Sequence, residues 1–166
     1  HPMAGGAQKG VDVARADLFD GATCIVTRTP ATDESAAVEV EQFWQALGMR
    51  IVRHSPAEHD RLVALVSHLP HAVAAALVAC QSPESIDLRG KGFTDTTRIA
   101  GGDAELWRDI FTDNAGNVVA SIDQMIDRLK GVRRMIASGD AASLESWLRE
   151  QADVRESLDP AKTRDA

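Results

Sequence analysis

The apolar positions of this chain follow two rhythms, short β-branched runs near the start and helical spacing over the rest. Ala22-Thr23-Cys24-Ile25-Val26-Thr27 is bounded by Gly21 and Pro30 and predicts a buried strand. Thr32-Asp33-Glu34 then offers an N-cap and first-turn acids, and Val40, Phe43, Trp44 and Leu47 follow at i, i+3, i+4 and i+7 as one apolar helical face. Gly48 is placed to end that helix, and residues 49–54 read as a second strand. Strand, helix and strand within about thirty residues make a βαβ unit. A lone unit is not a domain, so more strands are expected from sequence upstream of His1.

Beyond Ser55-Pro56 the pattern turns helical. From Ala57 to about Cys80, the residues Leu62, Leu65, Val66, Leu69, Val73 and Leu77 form one predicted stripe, with Asp60, Ser67 and His71 on another face. Pro70 lies inside this pattern and should kink or break the helix near Val66. Residues 81–97 read as a loop, with two glycines and a proline. Helix resumes near Asp103 with Leu106, Trp107, Ile110 and Phe111 on one face. Val118, Ile122, Met125, Leu129, Val132 and Ile136 then alternate at +4 and +3, a seam suited to packing against another helix in the chain or across a dimer. A shorter helix after Asp140 carries Leu144, Trp147 and Leu148, and a charged tail follows over 153–166.

With 166 residues, 44% of them hydrophobic and 26% charged, the chain has the make-up of an ordinary globular protein. Lys and Arg number 18 against 25 Asp and Glu, a net charge of −7, which argues against nucleic acid or an anionic membrane as partner. Cys24 and Cys80 each lie among apolar neighbours and form no metal spacing, so both are expected as reduced core residues of a cytoplasmic protein. No apolar run approaches the ~20 residues of a membrane span. The first residues lack a signal peptide's pattern and do not begin with Met, so the chain is expected to be cut from something longer.

The βαβ unit invites a search for a phosphate cradle, yet neither G-x-G-x-x-G after a strand nor G-x-x-x-x-G-K-[ST] occurs. His68-x-x-His71 could be half of a metal site, but nothing completes it, and no metal is expected. His54 and His59 read as surface or capping residues. Arg98, between the glycine segment and the next helix, could clamp a carboxylate, or could be a surface arginine paired with Asp95 or Asp103.

Taken in order, His1-Pro2-Met3-Ala4-Gly5, Asp17-Leu18-Phe19-Asp20-Gly21, Glu58-His59-Asp60, Ser67-His68-Leu69-Pro70-His71, Gly92-Phe93-Thr94-Asp95-Thr96-Thr97-Arg98-Ile99-Ala100 and Trp107-Arg108-Asp109-Ile110 resemble the prephenate/arogenate dehydrogenases of tyrosine biosynthesis. The similarity covers roughly residues 1–137. It implies a mixed, mostly α fold: the terminal βαβ remnant of a Rossmann-type nucleotide-binding domain (1–56), then an all-helical substrate and dimerisation domain (57–152). It also implies oxidative decarboxylation of prephenate or arogenate, with NAD or NADP bound mainly by upstream sequence, and a homodimer formed through the helical domain.

By the same resemblance His1 is the catalytic histidine and Arg98 binds a substrate carboxylate, with Asp95 placed to orient or gate it. Ser67 and His71 line the ring pocket, Trp107 forms an apolar wall, and Lys91 and Gly92 belong to a segment reaching the neighbouring subunit's site. His68 is kept as a structural residue. Gly6-Ala7 stand where many relatives carry a hydroxyl and an acid, so that acid is not available to pair with Arg98. The alternative from another class is a non-catalytic helical dimerisation module. In either case the isolated piece is expected to be inactive.

Overall fold

In the computed structural model the β-branched run forms β2 (Thr23–Thr27), which is parallel to β3 (Arg50–His54) from Thr23↔Arg50 to Thr27↔His54. The model describes residues 1–4 and 10–158, so Gly6-Ala7 and residues 159–166 of the expected tail lie outside it. A short strand absent from the sequence reading, β1 (Pro2–Met3), pairs antiparallel to the other edge of β2, giving the order β1-β2-β3. β2 is therefore central. Its Cys24, Ile25 and Val26 are buried, and Cys24, Val26 and Met49 form a small core against Phe19, Trp44 and Ile51.

Helix α1 (Glu34–Ala46) starts as expected at Asp33, whose Oδ1 accepts from the Ala36 N–H at 3.0 Å. It ends at Gly48, where φ is +86° and an added Cβ would stand 2.9 Å from Asp20 Oδ1. Only glycine meets both conditions. The face turned inward differs from the apolar stripe. Ala37 and Glu41 are buried and Trp44 half-buried, whereas Val40, Phe43 and Leu47 are exposed. The reason is ionic. Glu41 accepts from Arg53 Nε (2.8 Å) and from Arg28 Nη2 (2.6 Å), guanidiniums carried by β3 and by the turn after β2, and this rotates α1 onto its carboxylate.

Helix α2 (Pro56–Val63) passes through a π turn (Ala64–His68) into α3 (Leu69–Ala79) without a break. In that turn Leu69 N donates to Ala64 O, an i→i−5 bond. The disturbance expected from Pro70 is thus a one-residue bulge just before it. The extra residue moves the buried stripe to Val63, Ala64, His68, His71 and Ala74, leaving Leu65 and Val66 exposed. Cys80, beyond the end of α3, is exposed rather than core. Taken together, Pro56–Ala79 is 24 residues long and apolar enough by length and composition to cross a membrane, which corrects the expectation drawn from uninterrupted runs.

The predicted loop over 81–97 contains two short helices, α4 (Pro83–Asp87) and α5 (Lys91–Thr97), followed by a 3₁₀ turn (Arg98–Gly101). The residues that suggested a loop sit at helix starts. Ser82 and Ser85 cap α4 reciprocally, Pro83 occupies its first turn, and Gly90 is the N-cap of α5. Asp103 caps α6 (Ala104–Asp113) through its Oδ1 and the Leu106 N–H, 3.0 Å apart. Both α5 and the 3₁₀ turn pack on α3.

The chain divides into two compact units, His1–Ser121 and Ile122–Ala166. Helix α7 (Ala115–Ser138) begins in the first, where Val118 and Ser121 are buried. The second unit holds the rest of α7 and α8 (Ala141–Ser157), so helix extends into the segment expected as tail. Gly139, at φ +69°, and the Asp140 N–H bond to Met135 O (3.0 Å) turn the chain between them. Met125, Leu129, Val132 and Trp147 line a groove between these two helices. Leu129, Ile136 and Leu148 are more than half exposed.

Candidate active site

The site assembles within the first unit. His1 is fixed by β2 on both sides of its Cα: its nitrogen donates to Ile25 O (2.8 Å) and its carbonyl accepts from Ile25 N (2.9 Å). The His1 ring meets His59, with Nδ1 2.6 Å from His59 Nε2. His59 lies in the first turns of α2, whose start is set by a capping box. Ser55 Oγ accepts from Glu58 N, and the Glu58 carboxylate accepts from Ser55 N at 3.0 Å. His59 Nδ1 in turn lies 2.9 Å from Asp60 Oδ1.

A second group of rings follows the π turn. His68 is buried, and its Nδ1 lies 3.4 Å from Asn114 Nδ2. The Asn114 amide also donates to the Asp60 carbonyl (2.7 Å) and accepts at Oδ1 from Asn117 (2.8 Å), so it joins the two groups. His68 meets Trp107 edge-on, with centroids 6.3 Å apart. Trp107 lies flat against His71, and Phe111 closes against both rings.

Burial pushes the pKa of His68 below the usual imidazole range, with His59 adding to the effect and Asp60 opposing it. Burial alone does the same to His71. Both are therefore held neutral in the range where an exposed histidine would charge. His71 Nδ1 is buried without a hydrogen-bond partner among the described residues, a costly state unless a ligand or water satisfies it.

Among the expected site residues, the structure brings His1, His71 and Trp107 into this one chain of contacts, with Ser67 half-buried in the π turn. Arg98 is exposed in the 3₁₀ turn and makes no ion pair among the described residues. Lys91 and Asp95 pair with each other across one turn of α5 at 2.6 Å. Asp95 is thus engaged by Lys91 rather than by Arg98, because i,i+4 spacing on α5 sets them side by side. Gly92 is the second residue of α5, with open space where a Cβ would stand.

The family profile described as prephenate dehydrogenase, dimerization domain, matches residues 55–150, and the profile described as prephenate dehydrogenase, nucleotide-binding domain, matches residues 1–53. The chain belongs to the prephenate dehydrogenase family. Prephenate dehydrogenase of Bacillus subtilis is 33% identical over 165 residues, which are 95% of this chain and 44% of that protein. Prephenate dehydrogenase from A. aeolicus, solved with hydroxyphenyl propionate and NAD+, superposes with a TM-score of 0.88 at 35% identity, over 96% of this chain and 58% of that one. Synechocystis arogenate dehydrogenase gives a TM-score of 0.81 at 31% identity, over 96% and 60%. The chain spans about half the length of the curated relatives it matches.

Use of NAD(P) is a property of the prephenate dehydrogenase family, and the Rossmann-type part of that fold is here β1–β3 with α1. Sequence reading missed three features of this member. His59 reads from the sequence as a surface or capping residue, and Asp60 only as a member of the face shared with Ser67 and His71, because nothing in the sequence shows that β1 carries His1 to the start of α2. Asn114 left no signal, as its role depends on where α6 meets α7. Gly102 packs so tightly that a Cβ would stand 2.5 Å from Trp107 Nε1 and 3.1 Å from His71 Cε1.

Proposed function

We propose that this chain is the substrate-binding and dimer-forming portion of an NAD(P)-dependent prephenate dehydrogenase, acting in the cytoplasm as a homodimer on a free small molecule. The observation that carries it is the line of contacts running inward from the exposed His1 through His59, Asp60 and Asn114 to the buried His68 and His71, the latter stacked on Trp107, within a chain matched along its length by the two family profiles. The strands up to His54 complete the nucleotide-binding domain, and the helices from Pro56 to Ser157 form the helical domain.

The proposed reaction is an oxidative decarboxylation in which the nicotinamide supplies the hydride acceptor. The described residues do not fit its pyrophosphate. The turn from β2 to α1 has no glycine, the Ala36 N–H in the first turn of α1 is taken by Asp33, and Glu34 adds a carboxylate. The 166-residue chain is accordingly expected to give no measurable NAD+ binding by calorimetry.

The chain's own residues have definite tasks. His1 accepts the proton of the substrate hydroxyl as the carbon beneath it is oxidised, and the loss of CO2 leaves a phenolate that takes a proton back. Arg98 holds a substrate carboxylate. His71, Trp107 and Ser67 bound the ring, with the open Nδ1 of His71 satisfied by the ligand. Lys91, Gly92 and Asp95 present a charged, exposed surface toward the second subunit's site.

The test is steady-state turnover of prephenate, with arogenate in parallel, by protein that carries the complete nucleotide-binding domain. His1→Asn should lower kcat about 10²- to 10⁴-fold with KM nearly unchanged. Arg98→Ala should act mainly on KM, by roughly 30- to 1,000-fold, since a carboxylate is present in ground and transition states alike. Near-normal kcat in His1→Ala would refute the reading, as would an Arg98→Ala effect confined to kcat. Turnover of arogenate alone would reassign the substrate.

A further inference from the structure

We propose that His59 and Asp60 are positioning residues which together fix the tautomer of His1, so that its Nδ1 carries the hydrogen and its Nε2 the lone pair. The role this gives His1 rests on the dehydrogenase reading above, but the tautomer itself does not.

The deduction starts from the one group in the line with no choice. An ionised carboxylate only accepts, so Asp60 Oδ1, 2.9 Å from His59 Nδ1, requires a hydrogen on that nitrogen. A neutral imidazole has one N–H, and His59 Nε2 is then an acceptor. His1 Nδ1 lies 2.6 Å from it and must be the donor. His1 Nε2 is left with its lone pair, the state a base needs. Without Asp60, the His59 ring could donate through Nε2 instead. His1 Nδ1 would then become the acceptor, with the hydrogen on the wrong nitrogen for proton abstraction. A carboxylate that holds a catalytic imidazole in one tautomer is a general device of acid–base sites. Here a second imidazole stands between them.

The scaffold holds each member of the line. Both backbone groups of His1 are bonded to Ile25, which leaves only its side-chain torsions to be set. His59 N donates to Ser55 O at 2.9 Å in a helix start fixed by the Ser55–Glu58 box, and the side chain of His59 is only 17% exposed. The Asp60 carbonyl is tied to Asn114 at 2.7 Å, and Asn117 orients that amide. The neighbouring carboxylate, Glu58, is occupied by Ser55 and does not compete for the ring. Proton bookkeeping is simple: the substrate proton arrives at His1 Nε2, the Nδ1 hydrogen stays in place toward His59, and the resulting imidazolium faces a lone pair with a carboxylate behind it.

The experiment is long-range ¹H–¹⁵N NMR of the 166-residue chain at a pH where its imidazoles are neutral, with Asp60→Asn and His59→Gln as variants. The wild-type His1 and His59 should both show a protonated Nδ1 and a pyridine-like Nε2. Asp60→Asn, whose amide can donate or accept, should leave both rings as tautomer mixtures, and its helix content by circular dichroism should match wild type. In protein with the complete nucleotide-binding domain, the same substitution should lower kcat roughly 10- to 100-fold at unchanged KM. His59→Gln, which can still accept from His1 through its amide oxygen, should retain more activity than His59→Ala. A wild-type His1 protonated at Nε2, or an Asp60→Asn variant with the His1 tautomer unmoved, overturns the proposal. Wild-type protein that oxidises neither prephenate nor arogenate would defeat the functional reading and leave the tautomer result standing.

Discussion

The imidazole of His71 lies against the indole of Trp107 with centroids 3.6 Å apart and planes 13° from parallel. Gly102 makes this possible, since any larger residue would drive a Cβ into the indole edge. Gly102→Ala should therefore displace the stack and cost about 1–3 kcal/mol, the usual range for overpacking a fitted site. Its φ of −65° suits any residue, so the loss would come from contact and not from backbone strain. Thermal denaturation and near-ultraviolet circular dichroism of the tryptophan band would measure both effects. An unchanged tryptophan band would show that the stack does not depend on Gly102.

His68 and His71 both have folded-state pKa values pushed below their ordinary 6.5, chiefly by burial. The unfolded chain therefore binds more protons than the folded one below that pH. Stability from these two groups is complete above about pH 6.5 and falls as the pH drops toward their folded values. Urea unfolding between pH 8 and 5 should show the decline, and His71→Phe, which keeps an aromatic face for Trp107, should make it shallower. An equally steep decline in that variant would remove His71 from the explanation.

Glu41 has the opposite role. Hydrogen bonds from Arg53 and Arg28 lower its pKa from 4.5 to about 2 against the cost of burial. Its contribution to stability is full above about pH 4.5 and is lost as the pH falls toward 2. Glu41→Gln should lower the melting temperature at neutral pH and remove that acid sensitivity. Glu34→Gln should cost less, because the Glu34 carboxylate is largely exposed and, among the described residues, pairs with Arg28 alone. Equal losses in the two variants would show that burial of Glu41 adds nothing.

These contrasts show what the sequence could and could not carry. Both parallel strands, the Asp33 cap, the Gly48 stop and the disturbance before Pro70 were legible, because each depends on a few adjacent residues. The inward face of α1 was not, since it is decided by two arginines on other elements and not by the apolar stripe. The segment over 81–97 looked like a loop because glycine, proline and serine are common both to turns and to helix caps. Of the site, His1, His71 and Trp107 came through the family resemblance. The His59–Asp60 pair and Asn114 did not, as their roles exist only once β1 and α7 are brought to the start of α2.

Trp107 and Phe111 pack on His71, whereas the seam residues Met125, Leu129 and Val132 join Trp147 around the groove of the second unit. Leu129 is 58% exposed there. Sedimentation at micromolar concentration should show a dimer, with Leu129→Glu giving a monomer of unchanged helix content. A wild-type chain that sediments at 17.8 kDa would contradict the proposed pairing.

The π turn means that the helix from Pro56 to Ala79 holds one residue more than a regular α-helical path would use. Each residue of a regular helix advances about 100° around the axis. Losing any one residue between Ala64 and His68 would let the hydrogen bonds close in the ordinary register and swing everything on one side of it by that angle. His59 and Asp60 lie before the turn and His68 and His71 at or beyond it, so these three imidazoles and one carboxylate stay in one line of contacts only while the surplus residue is kept. The alignment of the two halves of the site is thus written in the length of the helix, where a comparison of side chains alone would overlook it.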